Sequence, residues 1–261
     1  MCLILVALNQ HERYPLIIAA NRDEFYDRPT REAGFWSDAP DLVAGRDLKS
    51  GGTWLGMTRS GAWAAVTNFR EPPLPEAAPL RTRGDLVRTY LENPLPAAQY
   101  AAEVKEHAQE FAGFSLLLGS RQSVTYISNR DPHTRSLGRG LFGLSNGAFD
   151  EAWPKVEIGK KRLDALLRQP RIDAEELLAL LGDRTQAEVH ELPDTGIGTE
   201  REKLLSPAFI AGAEYGTRSS TTIIVDTAGQ TAFLERTFHS SGFECAPVDR
   251  HFRFKLDAPA Y

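Results

Sequence analysis

Apolar and polar positions divide the chain into alternating β and α stretches. Cys2–Leu8 and residues 16–20 are short runs of Leu, Ile, Val and Ala, separated by a polar turn over residues 9–14. Neither run alternates, so both strands are expected to be covered on both faces. Residues 53–57 and 62–67 predict a hairpin turning through Thr58-Arg59-Ser60-Gly61. Residues 68–83, with Pro72, Pro73, Pro75 and Pro79, predict a surface loop. Leu86, Val87, Tyr90 and Leu91 share one helical face, and Pro96 opens a second helix reaching to about Ala108. Strands resume at Phe114–Gly119, at Val124–Ser128 and near residues 141–144. Trp153, Val156, Leu163, Leu166 and Leu167 mark an amphipathic helix, and Asp173 with Glu176 forms a capping box for a helix through residues 177–181. A loop is expected over residues 182–203, then strands at 221–226, Gln230–Thr237 and 251–256. With strands supplied by both ends of the chain, the order predicts one α+β domain over residues 1–261, helices covering a mostly antiparallel core.

Charge and composition narrow the function. The 261 residues carry a formal net charge of −5, which argues against a nucleic-acid binder with its basic stripe. Hydrophobic residues at 42% and charged residues at 25% are ordinary for a globular chain. Cys2 and Cys245 are the only cysteines, too few for a disulfide scaffold, so a reducing cytoplasmic location is expected. No run approaches the roughly 18 to 20 apolar residues that span a bilayer. The apolar start lacks a basic lead and a cleavage site, so it reads as a buried strand and not as a signal peptide. The six histidines show no metal-ligand spacing, and there is no Cys-x-x-Cys; no metal site is expected.

Cys2 is the first residue that bears chemistry. Removal of Met1 would leave a thiol and a free α-amine on one residue. An α-amine with a pKa near 7.7–8.0 is neutral in roughly a tenth to a sixth of molecules at pH 7, against about one in 2,500 for a lysine. That suits a general base acting on its own nucleophile. Taken alone, Cys2 reads equally as a small apolar residue opening a strand. Three polar clusters at strand ends also stand out: Asn21-Arg22-Asp23-Glu24, Leu144-Ser145-Asn146 and Gly216-Thr217-Arg218. Each by itself is an ordinary solvated turn.

Together with Gly51-Gly52-Thr53-Trp54-Leu55-Gly56 and Thr67-Asn68-Phe69, and behind Met1-Cys2, these clusters resemble the NRDE family. That family is named for the tetrapeptide and includes the transport and Golgi organisation proteins of animals. The resemblance runs from residue 1 to about residue 256. It implies a four-layer αββα sandwich of the N-terminal-nucleophile hydrolase type, with mostly antiparallel sheets. Bile-salt hydrolases and penicillin V acylases of that type cut non-peptide amide bonds with an N-terminal Cys. Carried over, Cys2 attacks the carbonyl and Asp23 orients its α-amine. Asn68 and Asn146 stabilise the oxyanion, and Arg218 supplies positive field that lowers the thiol pKa, so that Cys2 outpaces Cys245 toward alkylation.

Asn21, Arg22 and Trp54 complete the candidate site as binding residues. In those amidases the early Arg and Asp are separated, whereas Arg22 and Asp23 are adjacent. Side-chain alternation puts Asn21 and Asp23 on one face and Arg22 and Glu24 on the other. Without a bulge Arg22 is therefore expected outside the Asp23 pocket, clamping the loop through Arg28–Arg31 and Glu32. The paired glycines predict a close backbone approach, with Trp54 packing more than stacking on a ligand. Two functions follow. One is a cytoplasmic amidase with Cys2 as nucleophile and no required cofactor. The other is a non-catalytic carrier on the same fold, taking haem or a lipid or acyl-CoA ligand. In both the partner is a small molecule, with neither nucleic acid nor a membrane span.

Overall fold

A computed structural model describes residues 2–72, 81–93, 95–239 and 246–257. Six strands form one sheet in the order β10-β1-β2-β11-β12-β13: β1 Cys2–Leu8, β2 Leu16–Phe25, β10 Gly140–Leu144, β11 Tyr215–Val225, β12 Gln230–Thr237 and β13 Val248–Lys255. Seven form the other in chain order: β3 Thr30–Phe35, β4 Leu42–Asp47, β5 Leu55–Thr58, β6 Trp63–Asn68, β7 Phe114–Gly119, β8 Val124–Ser128 and β9 Arg135–Leu137. Every pairing in both sheets is antiparallel.

The non-alternating apolar runs of β1 and β2 are explained by the layers. Ile4, Val6, Leu8, Leu16 and Ile18 point between the sheets, against Met57 and Trp63 of the second sheet. Leu3, Leu5, Ala7, Ile17 and Ala19 point outward, under α3 (Pro154–Leu166) and α4 (Ala174–Leu181). On the far side α1 (Arg83–Glu92) and α2 (Ala97–Glu106) cover the seven-stranded sheet through Leu86, Val87, Tyr90, Leu91 and Tyr100. The result is the αββα sandwich. The Asp173–Glu176 capping box forms as the spacing requires.

Several boundaries differ from the sequence expectation, and the differences matter for function. β2 does not stop at Ala20 but runs through Asn21-Arg22-Asp23-Glu24 to Phe25, because β1 on one edge and β11 on the other satisfy its backbone. β11 likewise begins at Tyr215, not Thr221. The short strands β3, β4 and β9 carry too little apolar periodicity to be read, and α5 (Thr199–Leu204) lies in the stretch expected as loop. The prolines at 73, 75 and 79, and Cys245, fall outside the described residues.

One buried acid ties the sheets together. The β3–β4 register slips between Arg31 and Gly34, and the Ala33 N–H freed there donates to Glu235 on β12 at 2.7 Å. Burial pushes the Glu235 carboxyl up to about 7, against the pull of the Ala33 N–H, Thr221 and Arg22. Its folded pKa lies above the unfolded value, so the folded state holds the proton more tightly. The contribution of Glu235 to stability is full below about pH 4.5 and falls as pH rises to about 7, by up to about 3 kcal/mol. Glu235→Gln should flatten that decline in denaturant titrations at about pH 5 and about pH 8. Equal declines in wild type and variant would remove Glu235 as the cause.

Candidate active site

Register, more than sequence spacing, builds the site. β1 and β2 pair so that Cys2 lies directly opposite Arg22, and directly opposed residues share a face of the sheet. The thiol and the guanidinium therefore enter the same cleft at the end of the inter-sheet core. This corrects the expectation for Arg22. Alternation along β2 holds, but the residue that faces Cys2 is Arg22, and the Asp23 carboxylate turns toward the helix layer. Arg22 also bonds Thr30 Oγ1 at 3.1 Å and stacks on Trp54 at 4.2 Å, so it reaches the expected loop from within the site.

Asn21 and Asp23 occupy the other face. Asn21 donates to the carbonyls of Leu181 and Ala208 and accepts from Ser220; it staples β2 to α4 and lies away from the cleft. The Asp23 carboxylate accepts from Thr217 Oγ1 at 2.7 Å. A register shift between Thr217 and Ser219 on β11 makes that contact possible. Burial raises the Asp23 pKa, with Lys155, the Thr217 hydroxyl and Arg70 pulling it back down. Lys155 on α3 is itself buried, donates to the carbonyls of Leu205 and Pro207, and is pushed down to about 8. Asp23 still borders the cleft through its backbone, which hydrogen-bonds the Cys2 thiol.

Two residues after β10 hold Cys2 in place. Ser145 Oγ donates to the Cys2 carbonyl at 2.9 Å, and the Cys2 backbone nitrogen donates to Asn146 Oδ1 at 3.3 Å. Asn146 Nδ2 donates to the Asn68 carbonyl at 2.8 Å. The amide orientation is fixed chemically, since a flipped Asn146 would set donor against donor and acceptor against acceptor. Its N–H is thereby engaged. Asn146 positions the Cys2 nitrogen, and of the two asparagines Asn68 is the one at the cleft wall.

The described part of the cleft encloses about 110 Å³ and is lined largely by polar and charged groups. Arg28 pairs with Asp47 at 2.6 Å, and Glu24 lies between Arg22 and Arg28 at 4.0 and 3.7 Å. Trp54 packs in the core and floors Arg22. Gly45 is glycine because a Cβ there would meet the Trp54 ring at 2.3 Å. Gly52 meets the expected close approach: its Cβ would lie 2.5 Å from the Gly84 backbone, which fixes Thr82, Arg83 and the start of α1 at the cleft. Arg218 is not among the cleft residues. Its guanidinium bonds the Tyr26 carbonyl, and Arg22 supplies the positive field instead. Burial raises the Cys2 thiol above its ordinary value, with the terminal amine and Arg22 opposing and Asp23 adding to the rise. The direction is the reverse of the depression expected from Arg218. Arg28, Asp47, Arg83 and Lys155 went unread in the sequence, because nothing local to them signals proximity to Cys2.

The Transport and Golgi organisation 2 family matches residues 1–240. This chain belongs to that family. It is 34% identical to the human Transport and Golgi organization protein 2 homolog over 258 residues, covering 91% of this chain and 93% of the human one. It is 27% identical to the Drosophila melanogaster Transport and Golgi organization protein 2, covering 91% and 92%. Among solved structures it is similar to penicillin V acylase from Agrobacterium tumefaciens, with a TM-score of 0.54 at 12% identity, covering 98% of this chain and 86% of the acylase. It is also similar to a Caenorhabditis elegans N-acylethanolamine-hydrolyzing acid amidase ortholog, with a TM-score of 0.50 at 11% identity, covering 85% and 92%. These likenesses establish the N-terminal-nucleophile hydrolase fold for this family member. No helix among the described residues is long and apolar enough to cross a membrane.

Proposed function

We propose that this protein is an amidase that cleaves a non-peptide carbon–nitrogen bond with Cys2 as its N-terminal nucleophile. The observation that carries the reading is the double hold on Cys2. Its thiol faces a polar cleft beside Arg22, while its own backbone nitrogen is held by Asn146. With Met1 removed, that nitrogen is a free amine on the same residue as a thiol whose pKa burial raises. Such a thiol needs a base, and the amine is the base nearest in covalent structure.

The amine takes the thiol proton, and the thiolate forms an S–C bond to the substrate carbonyl. Negative charge moves to the carbonyl oxygen, where the Asn68 side-chain amide serves as donor. Collapse of this intermediate breaks the C–N bond, and the α-ammonium returns its proton to the departing amine. Water, deprotonated by the same amine, then attacks the thioester. An acid product leaves and the thiol is regenerated. Asp23, held by Thr217 and with the fields of Lys155 and Arg70 favouring its carboxylate, orients the α-amine. The solved structures of this fold named above are an acylase and an amidase, in agreement with this chemistry. The described cleft is lined largely by polar and charged groups, which suits an amide better than a macrocycle or a lipid chain.

Intact-mass measurement of the protein made in a bacterial cytosol should show loss of one methionine residue. Retention of Met1 on most molecules, together with full amide turnover by those molecules, would exclude the α-amine as base.

A further inference from the structure

Among the described residues the charges around the cleft can be paired off, and one remains. Arg28 is neutralised by Asp47, and Glu24 is shared between Arg22 and Arg28. Asp23 presents its carboxylate to Thr217 on the helix side. Arg83, the first residue of α1, lines the same cleft as Cys2. It donates to the Gly113 carbonyl at 3.2 Å, and among the described residues no carboxylate lies within ion-pair distance of it. The acids whose fields reach Arg83 each serve another arginine, with Glu71 on Arg130 at 2.7 Å and Glu24 as above. The nearby first-turn acid Asp85 pairs with Arg88. Burial already disfavours the Arg83 cation, and the fields of Cys2 and Glu24 act in its favour. The start of α1 adds its own positive end at the same wall. A half-buried cation with no carboxylate among the described residues, beside the nucleophile, is a site an anion that comes and goes would complete.

We propose that Arg83 anchors a carboxylate on the incoming molecule, so that the amide cut at Cys2 belongs to an acidic substrate. The word substrate rests on the amidase reading above; the anion subsite itself does not. A carboxylate held by a fork of N–H donors restricts the molecule's orientation as well as its charge. It would place the carbonyl over the thiol and leave neutral amides bound loosely in several poses.

The test uses the thiol and needs no substrate. The full-length protein is treated with iodoacetate and, separately, with iodoacetamide, and modification of Cys2 is followed by peptide mass mapping. In both reactions sulfur forms a bond to carbon and iodide leaves, so the reagents differ mainly in charge. The rate ratio of iodoacetate to iodoacetamide is normalised to that of a small free thiol. In wild type this ratio should exceed one and shrink as salt is raised. In Arg83→Gln it should fall about fivefold, as for a partly screened charge pair, and Arg83→Lys should recover part of it. A ratio unchanged in Arg83→Gln, with both rates falling equally, would make Arg83 a partner of the thiolate alone and overturn the subsite. If Arg83→Gln does not fold, a salt-independent wild-type ratio near one does the same. Anion preference without turnover of any amide would sink the amidase reading and leave the subsite; turnover with no Arg83-dependent preference would do the reverse.

Discussion

Cys2→Ala is expected to abolish amide turnover while leaving the protein folded and its cleft intact. Only one sulfur is lost from the end of β1, and the Asn146 and Ser145 contacts are made by the Cys2 backbone, which alanine keeps. Acidic amides should still bind, since the cleft walls and Arg83 are untouched, but no S–C bond can form. Loss of a covalent nucleophile removes the whole two-step path, so the expected decrease is on the order of a millionfold in kcat, the size seen when a nucleophile is deleted from a triad hydrolase. Cys2→Ser should retain a small remnant at most, because the same weak amine must ionise a less acidic hydroxyl. The measurement is hydrolysis of a panel of N-acyl amides, acidic and neutral, by wild type and both variants, with haem titration alongside. A carrier would transfer its ligand equally well with serine or alanine at this position. Wild type and Cys2→Ala indistinguishable on every amide, with saturable haem binding in both, would end the amidase reading.

The second large effect is on stability. Arg70 and Glu202 form an ion pair whose side chains are 4% and 3% exposed. Arg70 also stacks on Trp153 at 4.5 Å, and Glu202 accepts from the Thr195 backbone at 3.1 Å. Glu202→Ala removes the ion-pair partner of the buried guanidinium and should lower the unfolding free energy by about 3–5 kcal/mol. Urea titration should show an earlier midpoint with an unchanged slope. The double change Arg70→Met with Glu202→Leu should recover much of the loss, because it removes both charges and the cost of desolvating them. A midpoint unmoved by Glu202→Ala would show that the pair is hydrated in solution. The effect should also reach the site. The Arg70 N–H donates to the Asn146 carbonyl at 2.6 Å, and Asn146 holds the Cys2 nitrogen, so a variant that still folds should lose turnover along with stability.

Much of the scaffold was legible because its signals are local. The apolar runs at Cys2–Leu8, Phe114–Gly119, Val124–Ser128 and Gln230–Thr237 are strands with the bounds their composition gives. The face of α1 and the Asp173–Glu176 cap depend only on helical spacing. What the chain kept hidden was set by pairing between distant segments. The tetrapeptide Asn21-Arg22-Asp23-Glu24 looks like a solvated turn in isolation, and becomes strand because β1 and β11 supply ladder partners on both sides.

Local patterns along the chain carry the layered α+β order, and its motifs point to the family and to Cys2 as the residue to watch. Tertiary structure alone decided the composition of the site. Side-chain alternation could say that Arg22 and Asp23 point opposite ways, but only the β1–β2 register could say which of them meets Cys2. The shift on β11 then gave Thr217 to Asp23 and sent Arg218 to the Tyr26 carbonyl. Arg83 reached the cleft because Gly52 allows the backbone of α1 to approach. Register and close approach are properties of two segments together, and no pattern within either one encodes them.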